Sequence, residues 1–355
     1  MKEKTIRLTS LSREELNTLI VDDWGEKPFR AKQLWSWLYV KLVNDVSDMT
    51  DLSKLFRAKL EEVCQPLSPT VQSRQMSKDG TEKWLLSFTD GQQVETVYIP
   101  EEERGTLCVS SQVGCSLACP FCFTGTQKLV RNLTTSEIVE QVTFARSQVE
   151  ARGQRLTNIV LMGMGEPLHN YAAVAKAVKI ILDSSGLAIG TRKITLSTSG
   201  VVPKMVQAGY DLGINLAISL HSVRDDVRDQ LVPINKKYNL AALRKGAKEY
   251  PLKGNRSITW EYVMLDGIND SPDDARMLVK YLKGIPSKVN LIPFNPWPGT
   301  PYKPSSAQKI EEFQNIVGNT GLVTVIRERR GEDIQAACGQ LKGERESGDT
   351  SSVNS

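Results

Sequence analysis

Apolar positions change their period twice along the chain, and the changes divide it. From Ser12 to about Cys64 they recur at helical spacing, most clearly through Leu34, Trp35, Leu38 and Leu42. Ser12-Arg13-Glu14-Glu15 opens this stretch as a capping box, so a small helical domain is predicted. Between Glu82 and Pro100 the pattern becomes Trp84-Leu85-Leu86-Ser87-Phe88, an Asp90-Gly91 turn, then Val94 to Ile99, which predicts a β-hairpin. From Thr106 onward β-rich runs alternate with helical stretches: Leu107 to Ser111, Asn158 to Gly163, Lys193 to Ser199, Ile214 to His221, Ser257 to Leu265, Val289 to Phe294 and finally Val323 to Arg327. The expected organisation is a helical accessory domain over 1–75, a hairpin linker over 76–105, an α/β core over 106–341 and a polar, disordered tail over 342–355.

Alternating strands and helices imply parallel strands with crossover connections, in an open sheet or a barrel. An incomplete barrel is preferred, because the candidate functional residues fall at or just after strand ends, where α/β barrels build their sites. No internal repeat is present. No apolar run approaches the roughly 20 residues that span a bilayer, and the first ten residues carry no apolar core of a signal peptide, so no membrane association and a cytoplasmic location are expected. The net charge of +4 admits an anionic partner without requiring one.

Cysteine usage sharpens the picture. Three of the six cysteines fall within the eight positions Cys115-Ser116-Leu117-Ala118-Cys119-Pro120-Phe121-Cys122. In a reducing compartment such packing points to metal binding and not to disulfides. Thiolates suit zinc or an iron–sulfur cluster. A structural zinc site would want a fourth nearby ligand that the local sequence does not offer, whereas a four-iron cluster on three cysteines keeps one iron open.

The C-x3-C-x2-C spacing, with Phe121 before the last cysteine, resembles the signature of the radical S-adenosylmethionine superfamily, and implies its partial (β/α)6 TIM-like barrel. Gly163-Met164-Gly165-Glu166-Pro167, Ser219-Leu220-His221, Asn290 to Pro296, and Gly331-Glu332-Asp333-Ile334 through Ala337-Cys338-Gly339-Gln340-Leu341 extend the likeness to the adenine C2 methyltransferases of bacterial ribosomal and transfer RNA. The resemblance runs to Leu341. It implies a 4Fe–4S cluster on Cys115, Cys119 and Cys122, with S-adenosylmethionine held by Gly165, Glu166, Ser197, Ser219, Leu220, His221 and Asn295.

The same resemblance implies the chemistry. Adenine C2 is an electron-poor amidine carbon that will not attack a methyl sulfonium, so a radical route is needed. Cys338 takes a methyl group from one S-adenosylmethionine; a second molecule, cleaved reductively, yields the radical that activates this methyl for addition to C2. Glu95 then removes the C2 proton, and Cys108 attacks the Cys338 sulfur to release the product, leaving a Cys108 to Cys338 disulfide for reduction. Implied partners are 23S ribosomal RNA, transfer RNA and a low-potential electron donor of flavodoxin type, with the chain a monomer.

Several residues carry a plainer reading beside the functional one. By itself Cys108 reads as a core residue on a strand, Glu95 as a solvated strand residue, His221 as a satisfied core histidine and Gly163 to Pro167 as a tight turn. Cys64 reads as structural, and His169 stays unassigned. Phe29-Arg30-Ala31-Lys32-Gln33-Leu34-Trp35 mixes basic and aromatic residues as an RNA-contacting surface would, with Lys32, Lys41 and Arg57 the candidates for phosphate contact. Rival functions are the related adenine C8 methyltransferase, a non-catalytic RNA-binding protein with a structural metal, and a glycyl-radical activase, which would leave Cys108 and Cys338 unexplained.

Overall fold

A computed structural model describes residues 6–343. The residues first met form three short helices, α1 (Arg13–Asn17), α2 (Pro28–Tyr39) and α3 (Lys54–Val63). Ser12 caps α1 as its sequence predicts: its hydroxyl accepts the Glu15 amide while the Glu15 carboxylate accepts the Ser12 amide. After α1 the chain widens into a π-helical turn over Thr18–Asp23 before α2 begins at Pro28, a favoured first helical residue.

Four antiparallel strands follow: β1 (Thr70–Met76), β2 (Glu82–Ser87), β3 (Gln93–Pro100) and β4 (Gly105–Cys108). A short ribbon of β5 (Gln112–Val113) and β6 (Arg131–Asn132) comes next. The chain then repeats a strand and helix unit, as α4 (Thr135–Glu150), β7 (Asn158–Leu161), α5 (Tyr171–Leu182), β8 (Ile194–Thr198), α6 (Val202–Leu212) and β9 (Asn215–Ser219). It continues through α7 (Asp225–Leu231), α8 (Leu240–Glu249), β10 (Ile258–Met264), α9 (Pro272–Leu282), β11 (Ser287–Pro293), α10 (Ala307–Gly318) and β12 (Val323–Ile326). From β4 through β7, β8, β9, β10, β11 and β12 every neighbouring pair is parallel, so six crossovers wrap a partial barrel.

Two features depart from the sequence pattern. Residues Thr70–Met76, of which all but Met76 were expected in the helical domain, form strand β1; all seven are exposed, so an edge strand with no buried face shows no apolar alternation. The hairpin over β2 and β3 does not link two bodies either, because its strands continue the barrel into one ten-stranded sheet. The polar tail falls mostly on residues 344–355, outside those described.

One apolar core runs from Leu8 in the helical region through Trp84, Trp260 and Leu291 in the sheet. The helical region docks on α4 and α5. Thr9 Oγ1 donates to Glu140 Oε1 at 2.5 Å, Arg13 pairs with Asp183 at 3.1 Å, and a Cβ on Gly186 would meet the Trp35 indole nitrogen at 2.9 Å. Among the described residues no helix is long and apolar enough to cross a membrane.

Candidate active site

The three clustered cysteines occupy the loop between β5 and β6, whose pairing closes its base. Cys122 N donates to the Cys119 carbonyl at 3.1 Å, and a Cβ on Gly125 would come within 2.4 Å of that same carbonyl oxygen. The loop can therefore turn this tightly only with glycine there. Leu117, Leu231, Val232, Val263, Leu265 and Phe294 pack around it, which keeps the sulfurs in an apolar setting. Burial pushes the Cys115 thiol up to about 12 and raises Cys119 and Cys122, so bare thiolates there lack compensation that a bound cation would provide.

All three cysteines line one cavity at the carboxyl ends of the parallel strands. Its wall takes Gly163 and Gly165 after β7, Ser197 to Ser199 around the end of β8, Ser219 at the end of β9 and His221 just after it, Val263 on β10, and Arg327 after β12. Gly163 and Gly165 press against residues 109 to 112: added Cβ atoms would meet Ser110 Oγ at 2.7 Å and Gln112 Cβ at 2.6 Å, and Gly165 has φ +101°. Glu166 is buried with both oxygens engaged, one accepting Leu168 N at 3.1 Å and the other Ser199 N at 2.8 Å, while its own amide donates to Gln112 Oε1 at 3.0 Å. The carboxylate thus ties the turn after β7 to the end of β8; burial raises its pKa.

His221 adopts a left-handed backbone (φ +58°), uncommon outside glycine. Its Nδ1 accepts the Val263 amide at 3.1 Å and its ring meets Phe121 edge-on at 4.8 Å. Burial pulls the imidazole down to about 3, so it is neutral with the proton on Nε2, a donor facing the cavity. Behind it lies fully buried Arg228, which donates to the carbonyls of Leu220 (3.0 Å), Ser199 (2.7 Å) and Ser219 (3.1 Å) and to Asn235 Oδ1 (2.8 Å).

A second, deeper chamber fills the barrel lumen and carries Cys108, Asn290 and Asn295; it shares Met162, Glu261, Ile292, Arg327, Cys338 and Gly339 with the first cavity. Cys338 therefore borders both spaces. It rides on a strap, residues 331–343, bound mainly by polar contacts. Asp333 accepts Ser77 Oγ at 2.5 Å, Asp79 accepts Gly331 N at 2.9 Å, Phe123 N reaches the Gly339 carbonyl at 2.7 Å, and Asn295 Nδ2 donates to the Cys338 carbonyl at 3.2 Å. Glu95 clasps the strap's far end, accepting Lys342 N at 2.6 Å while pairing with Lys83 Nζ at 2.8 Å.

Comparison with known proteins decides what this arrangement belongs to. Residues 109–279 match the radical SAM superfamily, and residues 6–65 match the ribosomal RNA large subunit methyltransferase N-terminal domain. The dual-specificity RNA methyltransferase RlmN of Magnetococcus marinus is 66% identical over 97% of this chain and 96% of its own length. The chain belongs to the RlmN family of RNA methyltransferases. The RlmN protein of Rhodospirillum rubrum agrees, at 55% identity over 96% of this chain and 81% of its own. The crystal structure of a radical SAM methyltransferase from Sphaerobacter thermophilus superposes with a TM-score of 0.91, at 40% identity, covering 96% of this chain and all of that one. The partial barrel of radical SAM type is thereby shown, and with it an enzyme whose cofactors are a 4Fe–4S cluster and S-adenosylmethionine.

The residues present fit those groups. Among the described residues no three His, Cys, Asp or Glu side chains converge on a point suited to one metal ion. A four-iron cluster needs no such point, since its three cysteines each bind a different iron, whereas a zinc knot does. Among the described residues Asn295 Oδ1 is buried with no hydrogen-bond partner, an acceptor open to a donor from a bound molecule.

Of the residues singled out in the RlmN-like pattern, the structure gathers Cys115, Cys119, Cys122, Gly165, Glu166, Ser197, Ser219, His221 and Cys338 around one cavity. Cys108 and Asn295 lie in the adjoining chamber. Leu220 is fully buried and offers only backbone, and Glu95 borders neither space. His169 Nδ1 sits 2.7 Å from Ser116 Oγ in the cysteine loop. Cys64 is buried in the core. Of the basic candidates, Lys41 lies 3.3 Å from the Trp37 ring centroid and 3.5 Å from Asp51, and Arg57 donates to the Ser47 carbonyl, so both spend their charge within the helical region. Arg228, Glu261 and Arg327 were missed, because single charged residues near strand ends carry no spacing signal.

Proposed function

We propose that this chain methylates C2 of adenine in 23S ribosomal RNA and in transfer RNA through an S-methylated Cys338, consuming two S-adenosylmethionine molecules per turnover. The observation that carries this reading is the position of Cys338, bordering the cavity of Cys115, Cys119 and Cys122 on one side and the chamber of Cys108 on the other. A thiol so placed can take a methyl group at the first site and be met by a second thiol at the other.

Bound at the three cysteines, the cluster and S-adenosylmethionine supply both the methyl group and a carbon radical. The chain's own residues hold, aim and resolve. Cys115, Cys119 and Cys122 ligate, while the His221 Nε2 donor, Ser197, Ser219, the unpaired Asn295 Oδ1 and the turn at Gly165 and Glu166 fix the cofactor's orientation. The apolar shell around the cysteine loop excludes water that would quench a radical. Cys338 acts as a thiolate nucleophile toward the methyl sulfonium. Cys108 resolves the tether, and Glu95 receives the C2 proton; with both Glu95 oxygens engaged, that transfer requires the strap's last residues to lift.

The target adenine must leave its stack to enter the barrel mouth. Residues 1–75 would supply RNA contact beside the core over 106–341, with Lys32, among the described residues, outside the internal pairing that occupies Lys41 and Arg57. A low-potential donor of flavodoxin type, a monomeric state and a cytoplasmic location complete the reading. The adenine C8 rival is disfavoured because the most similar relatives reported above carry the dual-specificity RlmN name.

Anaerobically reconstituted protein, given S-adenosylmethionine with a deuterated methyl group, a low-potential reductant and unmodified RNA, tests this. Labelled 2-methyladenosine from wild type and none from Cys338→Ala is the expected result. Labelled 8-methyladenosine would overturn the position assignment, and equal labelling by Cys338→Ala would overturn the relay.

A further inference from the structure

Arg327 follows β12, its amide bonded to the Leu291 carbonyl at 2.8 Å, and its side chain borders both the cysteine cavity and the deeper chamber. Among the described residues its guanidinium has no hydrogen-bond or ion-pair partner, although five donors at a half-enclosed site normally find one. The groups within reach of its charge are Cys338, Glu261, Cys108 and Glu101, from the strap, β10, β4 and the turn after β3. The Glu261 carboxylate feels this charge without a direct ion pair to it; Asn290 Nδ2 donates to that carboxylate at 2.7 Å, and Lys288 on β11 faces it too. A permanent cation is thus held open in the chamber that both Cys108 and Cys338 line.

We propose that Arg327 is the positioning residue of the two-thiol relay, its guanidinium holding Cys108 in the thiolate form that attacks the Cys338 sulfur. The inference rests on the relay described above and adds to it a residue outside the family's signature segments. In the step concerned, once the C2 proton has gone to Glu95 and the adduct's unpaired electron has returned to the redox donor, the Cys108 sulfur forms an S–S bond with the Cys338 sulfur, and the bond from Cys338 to the methylene carbon breaks. The electron pair passes to that carbon, which takes a proton from water and becomes the methyl group on C2. The two cysteines are oxidised to a disulfide, which an external dithiol reduces. Arg327 exchanges no proton; it lowers the energy of the anion that starts the step.

Need for such help is plain in the burial of Cys108. Desolvation and the neighbouring Cys338 push its thiol up to about 12, and the charge of Arg327 pulls against them. Without the guanidinium the thiolate becomes scarcer still at neutral pH.

The test is the pH profile of Cys108 alkylation by iodoacetamide in the reconstituted holoenzyme without RNA, located by peptide mass spectrometry, for wild type, Arg327→Lys and Arg327→Met. Arg327→Met is expected to alkylate about tenfold more slowly at pH 8, with its profile displaced upward, and Arg327→Lys to stay within about threefold of wild type. With RNA present, Arg327→Met should accumulate a covalent protein–RNA adduct while Cys338 still gains its methyl group. A wild-type profile in Arg327→Met overturns the proposal, and thermal melts of both variants exclude misfolding as the cause. If wild type itself fails to methylate Cys338, the relay reading falls, and the alkylation profile still decides whether Arg327 governs Cys108.

Discussion

Replacing Arg228 with leucine removes one side chain and strands four acceptors. The guanidinium is fully buried and bonds the carbonyls of Ser199, Ser219 and Leu220 and the Asn235 amide oxygen. Bonds from a charged donor are worth roughly 1.5–3 kcal/mol each, so about 6–12 kcal/mol of gross interaction is lost. Against that, burial pulls the guanidinium down to about 10, and removing the charge recovers about 3 kcal/mol of desolvation. The acceptors regain some water on relaxation, which leaves a net loss of about 4 kcal/mol. With unfolding entropy near 2.1 cal/mol/K per residue, a chain of this length should melt about 5 °C lower. Arg228→Lys should be nearly as damaging, since a point charge cannot serve four acceptors in a fork. Because the same carbonyls hold the turn that sets Ser219 and His221, S-adenosylmethionine binding should weaken in step, as calorimetric titration of the reconstituted protein reads it. A leucine variant melting within about 1 °C of wild type and binding the cofactor equally well would refute the argument that these bonds align the site.

Three further outcomes follow from other parts of the fold. Burial raises the Glu140 carboxyl to about 7, so the folded state binds the proton more tightly than the unfolded chain; the associated stability is fully present below pH 4.5 and is lost as pH rises through 7. Glu140→Gln should therefore gain about 3 kcal/mol over wild type at pH 8 and nothing at pH 4, by urea unfolding at both values. Gly165→Ala places a Cβ 2.6 Å from Gln112 at a backbone of φ +101°, and should lower the melting temperature and loosen the cofactor together; a neutral effect in both would contradict the close approach of the two turns. Glu95→Gln releases the charge clasp on Lys83 and weakens that on Lys342, so limited proteolysis within residues 331–343 should speed up about tenfold, in line with roughly 1.5 kcal/mol lost.

Which parts of this protein were readable before any fold was drawn follows from what local chemistry can encode. The capping box at Ser12 and Glu15, the turn at Asp90-Gly91 and the seven parallel strands are each dictated by neighbours within a few residues, and the structure places them where the pattern does. Cys115, Cys119 and Cys122 were legible as a group for the same reason, since all three fall within eight consecutive positions. β1 was not, because an edge strand exposed along its length leaves no apolar period. Nor could the pattern show that Cys338 borders both Cys122 and Cys108, residues more than 200 positions away, since only the closing of the barrel and the docking of the strap bring them together. The same holds for Arg228, Glu261 and Arg327. A charged residue's sequence neighbours say nothing of its burial, so its role is decided by the strands that converge on it, and that convergence exists only in the folded chain.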